Sequence, residues 1–323
     1  MPLMRRTIMA VLFLLTSVPA SARDFDLQGH RGTRGLAPEN TLAAFRKALE
    51  IGVTTLETDL ALTRDGVLVL SHDPRLNPDL TRGRDGQWLK GWGPPIRTLS
   101  RVELDAFDVG RLNPDSRYAR QFPQQIAADG ERIPSLQALI ALTRTTGRDQ
   151  VRFNIETKLA PDKPDDTADP ATFARAVVEA IRAEGVMART TVQSFDWRTL
   201  LEVKKLAPEI ATACLTIESS GMDTVRRAVP PSPWHGGLDL AAHGSSLPRL
   251  AKAAGCATWS MFWRNLTPEL VKEAQSLGLK VLPWTVNDPA QMDRLIDLGV
   301  DGIITDYPDR LRQVMARRGL KLP

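Results

Sequence analysis

Residues 280–305 read KVLPWTVNDPAQMDRLIDLGVDGIIT, and this stretch contains the pattern on which the fold prediction rests. It begins and ends with short apolar runs, at 280–286 and 302–305, that are typical of buried strands. Between them a helical pattern covers 289–298. Asp288 is a suitable N-cap, and Pro289 takes the first helical position, where a missing N–H costs no hydrogen bond. Strand, helix and strand in this order predict a parallel βαβ unit.

The same alternation of short apolar runs and helical patterns recurs through most of the 323-residue chain. Nine runs have the length and apolar character of strands. This order predicts an α/β fold in which a parallel sheet closes into a (β/α)₈ TIM barrel with the helices outside. The predicted strands are 26–30, 54–62, 67–72, 151–157, 190–194, 210–217, 257–262, 280–286 and 302–305.

A barrel has eight places, and the short connection between 54–62 and 67–72 explains the surplus strand. Only residues 63–66 join these two runs, whereas a parallel crossover needs about a dozen residues or more. Asp65-Gly66 is a typical tight-turn pair. The two runs are therefore predicted to form a hairpin.

Two long stretches interrupt the alternation. Residues 74–133 are rich in glycine, proline, tryptophan and arginine, and a structureless loop of that length is unusual in a compact domain. We therefore predict a small insertion at one end of the barrel, within a single domain spanning 23–323. The second stretch, 230–248, is predicted to be a loop. Both stretches are expected to shape the part of the active site that discriminates between substrates.

The first 22 residues have the pattern of a secretory signal peptide. Arg5 and Arg6 precede an apolar run at 8–15, and Ala20-Ser21-Ala22 offers a cleavage site after Ala22. We therefore expect export, to the periplasm of a bacterium. No later apolar run reaches the roughly 18–20 residues that span a bilayer, so no membrane span is predicted.

The charge balance argues against nucleic acid as the main partner. The formal charge of +4 includes Arg5 and Arg6, and the remaining 301 residues carry 40 basic and 38 acidic side chains. Nucleic acids are bound by clustered Lys and Arg, which a nearly balanced surface does not offer. We therefore expect a small-molecule substrate, and the sequence leaves the oligomeric state open.

The two cysteines, Cys214 and Cys256, are too few for a disulfide framework. Each lies in an apolar run, which favours two buried thiols. Exported proteins meet an oxidising compartment, so a disulfide between the two is the alternative.

Carboxylates cluster on two predicted strands. Glu57 and Asp59 are two residues apart and therefore share a strand face, and so do Asn154, Glu156 and Lys158. A single pair is equally typical of a solvated strand face, but inward carboxylates on two strands are costly without a cation. Oxygen ligands suit Ca²⁺ or Mg²⁺, so the pattern favours a site for one divalent cation.

Histidines end two of the apolar runs. His30 is followed by Arg31 and Gly32, and His72 by Asp73, at strand ends where barrel active sites are built. An isolated His-Arg-Gly is typical of a tight turn with a hydrogen-bonded histidine. Two histidines beside a cation and a guanidinium, however, suit acid–base attack on a phosphodiester.

The other two histidines, His235 and His243, fall in the stretch 230–248 and are predicted to be surface or loop residues. Trp284 lies in a predicted strand, where it could form the floor of a pocket or simply pack in the core. None of these three residues adds a candidate for acid–base catalysis.

Short motifs follow one another along the chain, from Gly29 to Pro308. They are His30-Arg31-Gly32, Pro38-Glu39-Asn40-Thr41, Glu57-x-Asp59, His72-Asp73, Ile155-Glu156-Thr157-Lys158, Trp284-Thr285-Val286-Asn287 and the run 302–308. Together they resemble the glycerophosphodiester phosphodiesterase family, in the order in which that family carries them. Each motif alone is weak, but the ordered set is specific, and no motif position departs from the family pattern.

The resemblance implies a (β/α)₈ barrel with a small insertion after the second histidine. It also implies one divalent cation, Ca²⁺ or Mg²⁺, held by three carboxylates next to an acid–base pair of histidines. To the implied residues we add Trp284 as a substrate-binding side chain. The resulting roles are metal binding for Glu57, Asp59 and Glu156, catalysis for His30 and His72, and substrate binding for Arg31, Lys158 and Trp284.

The expected reaction is hydrolysis of a glycerophosphodiester to glycerol 3-phosphate and an alcohol through a cyclic phosphate, with His30 as base and His72 as acid. One alternative is a related phosphodiesterase that acts on lysophospholipids or phosphoinositides, which an apolar surface near Trp88 and Trp92 would favour. Another alternative is an exported binding protein without turnover, but such a protein has no need of paired acid–base groups.

Overall fold

The computed structural model describes residues 24–323, which form a ring of parallel strands surrounded by helices. The predicted signal peptide, residues 1–22, lies outside the described residues. No helix within 24–323 is long and apolar enough to cross a membrane. The strands are β1 (Asp26–Gly29), β2 (Thr55–Leu62), β3 (Leu68–Leu70), β4 (Arg152–Thr157), β5 (Thr190–Ser194), β6 (Ala211–Thr216), β7 (Thr258–Met261), β8 (Lys280–Val281) and β9 (Gly302–Thr305). The helices are α1 (Leu42–Ile51), α2 (Arg101–Leu104), α3 (Leu136–Thr145), α4 (Pro170–Ala183), α5 (Trp197–Leu206), α6 (Leu247–Ala253), α7 (Pro268–Ser276), α8 (Pro289–Asp297) and α9 (Pro308–Arg317).

Eight of these strands form the barrel. They run parallel in the order β8-β7-β6-β5-β4-β2-β1-β9, so that β8 and β9 are the two ends of the ladder. Backbone hydrogen bonds join those ends, because the Asp301 N–H donates to the Val281 carbonyl and the Ile304 N–H to the Pro283 carbonyl, both at 3.0 Å. The prediction of a (β/α)₈ TIM barrel is confirmed.

The barrel strand β8 is shorter than the sequence predicts. We predict a strand over 280–286, but only Lys280–Val281 pairs regularly with β7. Pro283 has no N–H to donate to a ladder, which limits regular pairing. The chain nevertheless stays beside β9, since the Val286 N–H donates to the Ile304 carbonyl at 3.0 Å.

The ninth strand, β3, forms the predicted hairpin with β2. The pair is antiparallel, with Leu60 opposite Leu70 and Leu62 opposite Leu68. Gly66 lies in the turn with a φ of 79°, a left-handed conformation that glycine adopts without steric cost. The hairpin prediction is confirmed, and His72 lies two residues after the end of β3.

Residues 74–133 connect this hairpin to α3 through short helical turns and α2. Three of their apolar side chains, Leu76, Ile96 and Leu104, pack with Val69 of β3 in a cluster of their own. The main core lies between the barrel strands and the outer helices. The segment is therefore anchored on the hairpin rather than on the barrel core.

Several helices begin at the caps that the sequence predicts. Asp169, Thr267 and Asp288 each accept a backbone hydrogen bond in the first turn of α4, α7 and α8. The prediction of a loop over 230–248 is wrong at its last residues, because α6 begins at Leu247 with Ser246 as its N-cap. A serine followed closely by a proline is a readable start signal that the loop prediction passed over.

Cys214 in β6 and Cys256 before β7 are both buried and form a disulfide, with their Cα atoms 6.0 Å apart. The favoured prediction of two thiols is therefore wrong, and the alternative is correct. Apolar surroundings predict burial but carry no information on distance, and pairing depends on the distance between the two Cα atoms.

Candidate active site

Polar side chains from three neighbouring strands meet at the carboxyl end of the barrel. Glu57 and Asp59 lie on β2, and the parallel register sets Asp59 opposite Glu156 on β4. Alternate residues of a strand share one face, so these three carboxylates project to the same side, and all three are buried. His30 follows β1 at the same end of the barrel.

Glu57, Asp59 and Glu156, here called the acidic triad, offer ligand oxygens that all lie within 4.8 Å of one another. Burial, reinforced by the charge of Asp59, raises the pKa of Glu57 well above its usual range. Burial also raises the pKa of Glu156 to about 7, against the opposing charge of Lys158. Asp59 keeps a lowered pKa because Lys158 and Arg31 outweigh the effect of its burial. Three adjacent buried carboxylates are costly unless a cation compensates their charge.

A divalent cation fits this triad. Asp59 Oδ1 is buried and accepts no hydrogen bond from the described residues, although Lys158 Nζ lies 3.6 Å from it. The donor set consists of carboxylate oxygens, which suit hard cations such as Ca²⁺ and Mg²⁺. The triad could therefore hold a metal ion.

Arg31 and Lys158 border the triad. Lys158 Nζ donates to Glu156 Oε1 at 2.7 Å, and Arg31 Nη1 donates to Glu39 Oε1 at 2.6 Å. Arg31 Nε lies 3.3 Å from Asp59 Oδ2 without a hydrogen bond of its own. Both cations are thus close enough to contact an anionic group that approaches the triad.

His30 is held firmly beside the triad. Its Nδ1 lies 2.7 Å from Asp306 Oδ1, and its Nε2 lies 4.0 Å from Glu57 Oε2. A carboxylate can only accept a hydrogen bond, so Nδ1 carries the proton and Nε2 is the free base. Burial, assisted by the charge of Arg34, lowers the pKa of His30 to about 4, although Asp306 opposes this shift. The imidazole is therefore neutral near pH 7.

Asp306 is a functional candidate to which sequence reasoning assigns no role. It accepts hydrogen bonds from Arg34 Nε at 2.8 Å, Arg34 Nη2 at 3.0 Å and Asn287 Nδ2 at 2.7 Å. Arg34 and His30 outweigh its burial and lower its pKa, so it stays ionised. Asp306 directly follows β9, and the strand-end rule that selects His30 could have found it as well.

His72 is held more loosely. Its Nδ1 lies 3.2 Å from Asp73 Oδ1, and 32% of its side chain is exposed. Partial burial, together with Arg31 and Lys158, lowers its pKa. His72 therefore stands between the triad and open solvent.

Two adjoining cavities open at this end of the barrel. The catalytic cavity, of about 180 Å³, is lined by both histidines, Glu57 and Trp284. Trp284 stands edge-on to Phe195, with the ring centroids 5.4 Å apart. The outer cavity has a volume of about 520 Å³. The side chains that line both cavities are His72, Glu156, Lys158 and Phe195.

The outer cavity is walled mainly by two loops, 159–167 and 221–234. Of the insertion 74–133, only Pro74 lines it. The insertion packs mainly on the hairpin and approaches the site at Arg31 and Arg34 rather than at the outer cavity. Its part in discriminating between substrates stays a prediction. The prediction for 230–248 is correct in part, since Trp234 belongs to the wall.

A family model described as the glycerophosphoryl diester phosphodiesterase family matches residues 30–310. The chain belongs to this family. The matched range begins at His30 and ends beyond Asp306, so it contains the acidic triad, both histidines and the residues that hold His30.

Proteins that carry the name of this family match this chain over nearly their full length. A glycerophosphodiester phosphodiesterase of Caldanaerobacter subterraneus subsp. tengcongensis is 30% identical over 294 residues, which cover 90% of this chain and 97% of the relative. A glycerophosphodiester phosphodiesterase of Bacillus subtilis is 26% identical, and the match covers 94% of this chain and 92% of that relative. A solved structure from Silicibacter pomeroyi DSS-3 is provisionally named a glycerophosphoryl diester phosphodiesterase. It has a TM-score of 0.82 at 35% identity, and the match covers 94% of this chain and 97% of the solved chain.

A phosphodiesterase of Oleispira antarctica, solved with the product sn-glycerol-3-phosphate, has a TM-score of 0.65 at 24% identity. The match covers 90% of this chain and 96% of the Oleispira chain. At that identity the likeness shows the barrel fold of the family and nothing further.

In this member of the family, the insertion reaches the active site through Tyr118. The Tyr118 hydroxyl donates to Glu39 and accepts from Arg31 Nη1 at 3.4 Å and from Arg34 Nη1 at 3.1 Å. Phe122 also packs on Arg34, whose guanidinium carbon lies 4.8 Å from the ring centroid. Sequence reasoning missed Tyr118 because no motif or regular pattern marks its segment.

The remaining histidines lie outside the catalytic cavity of this family member. His243 lies in a short helical turn, as its loop prediction expects. His235 also lies in a short helical turn of this stretch. It is not a surface residue, however, because it is buried against Trp197 with the ring centroids 4.7 Å apart. The turn that carries it begins at Ser232, whose side chain accepts the Trp234 N–H and folds the segment onto α5.

Proposed function

We propose that this protein hydrolyses glycerophosphodiesters to glycerol 3-phosphate and an alcohol, as a metal-dependent enzyme with two catalytic histidines. The observation that carries the proposal is the buried acidic triad, whose oxygens lie within 4.8 Å of one another in a cavity lined by His30 and His72. Such a cluster beside two imidazoles suits attack on an anionic phosphodiester, whose charge must be offset as the reaction proceeds.

Glu57, Asp59 and Glu156 would hold the divalent cation, and Ca²⁺ or Mg²⁺ is the proposed ion. When bound, the cation would offset the charge of the phosphoryl oxygens and favour ionisation of a nearby hydroxyl group. Arg31 and Lys158 would turn from their carboxylate partners toward the phosphate.

The two cavities fit the two halves of the substrate. The catalytic cavity of about 180 Å³ would take the glycerol phosphate against Trp284. The outer cavity would take the leaving alcohol, and His72 lines both. Its lining residues include the charged side chains Asp162, Lys163, Asp223 and Arg226, which suit a small polar alcohol rather than an acyl chain.

His30 would act as the general base. Its Nε2 takes the proton from the 2-hydroxyl of the glycerol, whose oxygen forms a bond to phosphorus. The bond between phosphorus and the alcohol oxygen breaks, and His72 donates a proton to that oxygen. The products of this half-reaction are a cyclic glycerol phosphate and the free alcohol.

Water then opens the cyclic phosphate with the roles reversed. His72 takes a proton from water, the water oxygen bonds to phosphorus, and His30 returns a proton to the departing 2-oxygen. Asp306 holds the Nδ1–H of His30 in both halves, and its negative charge stabilises the imidazolium. The anionic phosphate likewise favours the protonated form of His72.

Product analysis tests the proposal. The mature protein is incubated with a panel of glycerophosphodiesters and lysophospholipids, and phosphorus NMR follows the products. We expect glycerol 3-phosphate from the glycerophosphodiesters, preceded by a cyclic phosphate signal. Preferential hydrolysis of the lysophospholipids would instead support the alternative substrate class, and the absence of hydrolysis with every diester would support a binding protein.

We also propose that the protein is exported to the periplasm. The signal-peptide pattern at 1–22 and the disulfide between Cys214 and Cys256 support an oxidising compartment. Cell fractionation with N-terminal sequencing tests this, and we expect a periplasmic chain that begins at Arg23. A chain that keeps Met1 in the cytoplasmic fraction would contradict it.

A further inference from the structure

Three amide side chains cross the interior of the barrel below the acidic triad. Gln28, Asn154 and Gln193 lie on β1, β4 and β5, and each is at most 3% exposed. Barrel interiors are filled mainly by branched apolar side chains. A buried amide costs free energy unless it is hydrogen-bonded, so three of them in contact call for an explanation.

The amides form one continuous chain of hydrogen bonds, here called the axial amide chain. Gln193 Nε2 donates to Glu57 Oε1 at 2.9 Å, and Asn154 Nδ2 donates to Gln193 Oε1 at 2.9 Å. Asn154 Nδ2 also donates to Gln28 Oε1 at 2.9 Å, and Gln28 Nε2 donates to Asp26 Oδ2 at 2.9 Å. The chain therefore runs from the triad to the opposite end of the barrel.

The carboxylates at the two ends fix the direction of every bond. A carboxylate that holds a cation is ionised and can only accept, so with the proposed cation bound Gln193 would present its NH₂ group to Glu57 and its carbonyl to Asn154, the arrangement that the structure shows. Gln28 likewise presents its NH₂ group to Asp26. Asn154 then donates in both directions, and its own Oδ1 accepts no hydrogen bond from the described residues. No amide can flip without placing two donors or two acceptors face to face.

The axial amide chain and the Arg31 backbone together fix the orientation of the Glu57 carboxylate. Its Oε2 accepts the Arg31 backbone N–H at 2.8 Å, while its Oε1 accepts Gln193. Two donors on two oxygens fix the rotation of the carboxylate and leave a further lone pair on each oxygen for the cation that the triad would hold. Hydrogen bonds of this kind orient metal ligands in proteins.

We infer that the axial amide chain positions Glu57 for metal binding. Gln193 is the positioning residue in contact with Glu57, and Asn154 and Gln28 hold Gln193 in the donating orientation. This inference rests on the proposed function, in which the triad binds a divalent cation.

The test measures metal affinity rather than turnover. Ca²⁺ and Mg²⁺ are titrated by calorimetry into the wild-type protein and into Q193L, and Q193M is included because its unbranched chain follows the path of glutamine. Both substitutions remove the donor to Glu57, so we expect the Kd to rise by about 10–100-fold. N154L keeps the Gln193 donor but removes the hydrogen bond that holds the Gln193 carbonyl. Q28L removes the acceptor for Asn154, one hydrogen bond further from Glu57. Their effects are expected to decrease in that order.

T212V is the matched control. Thr212 is a fully buried barrel residue whose Oγ1 makes no hydrogen bond to the described residues. Its hydroxyl makes no hydrogen bond to the axial amide chain, and valine has nearly its shape. We expect its metal affinity to equal that of the wild type.

The melting temperatures of the metal-free proteins separate positioning from general stability. A purely structural role would lower the melting temperature of Q193L and Q193M and leave their Kd equal to that of T212V, which would overturn the inference. If the wild type binds neither cation, the proposed metal site fails and the inference falls with it. If the wild type binds metal and Q193L and Q193M bind it with the same Kd, the inference is contradicted while the proposed metal site stands.

Discussion

His30 and His72 line the same cavity, yet the fold holds them in different ways. His30 follows a barrel strand, is 12% exposed and lies 2.7 Å from Asp306, which Arg34 and Asn287 fix in turn. His72 follows the hairpin strand outside the barrel, is 32% exposed and lies 3.2 Å from Asp73.

The difference corresponds to the two tasks in the proposed reaction. A base that removes a proton from a bound hydroxyl gains from fixed geometry, because proton transfer requires hydrogen-bond distance. A group that protonates a departing alcohol must border the space through which the alcohol leaves. The closed barrel supplies fixed geometry on one side, and the outer cavity supplies an open path on the other.

Removal of either imidazole is expected to have the largest effect. H30Q and H72Q should each lower kcat by about a hundred- to ten-thousand-fold, because each removes a proton-transfer group. Release of glycerol 3-phosphate measures the rate, and an unchanged melting temperature serves as the control. Near-normal rates in both variants would refute the catalytic assignment.

Replacement of the two carboxylate partners, Asp306 and Asp73, tests whether the two histidines depend on them to different degrees. D306N should lower kcat by about 100-fold with little change in KM, because a neutral amide cannot stabilise the imidazolium of His30. D73N is the matched variant on the looser side, and it should lower kcat by less than about tenfold. Equal losses in the two variants would show that both histidines depend on their partners alike.

His235 shows what burial does to the pKa of a histidine outside the catalytic cavity. Burial, assisted by Arg227, lowers its pKa to about 4, whereas an unfolded histidine titrates near 6.5. The unfolded chain therefore binds a proton first as the pH falls, and stability is lost between about pH 6.5 and 4.

H235F keeps a ring against Trp197 but cannot titrate. Urea unfolding should show that the wild type loses about 2 kcal/mol more than H235F between pH 7.5 and 4.5. The activity of H235F at pH 7.5 should match the wild type. Identical pH dependence of unfolding in the two proteins would disprove this contribution.

The smallest expected effects separate the two cavities. W284L should lower kcat/KM about tenfold for every glycerophosphodiester, since all of them share the glycerol that the catalytic cavity is proposed to hold. D223N in the outer cavity should lower kcat/KM only for cationic alcohols, by about threefold. A uniform effect of D223N across neutral and cationic alcohols would count against the outer cavity as the alcohol site.

Local spacing made part of the site predictable. The strand period of two places Glu57 and Asp59 on one face, and it does the same for Glu156 and Lys158 on β4. The acidic triad and the barrel could therefore be predicted from short stretches of sequence.

Contacts between distant segments could not be predicted in this way. Asp306 meets His30 across 276 positions, and Tyr118 reaches Glu39 from an insertion without a motif. The burial of His235 and the pairing of Cys214 with Cys256 depend likewise on packing between elements. Spacing along a strand is local, whereas these features arise from the closed barrel.

The metal dependence of turnover shows whether the acidic triad holds a cation that the reaction requires. Glycerol 3-phosphate release from a glycerophosphodiester is measured for the wild type after treatment with EDTA, and again after Ca²⁺ or Mg²⁺ is restored. Because the acidic triad is proposed to hold the required cation, turnover should be lost with EDTA and should return with one of the two ions. An unchanged rate in EDTA would contradict the account.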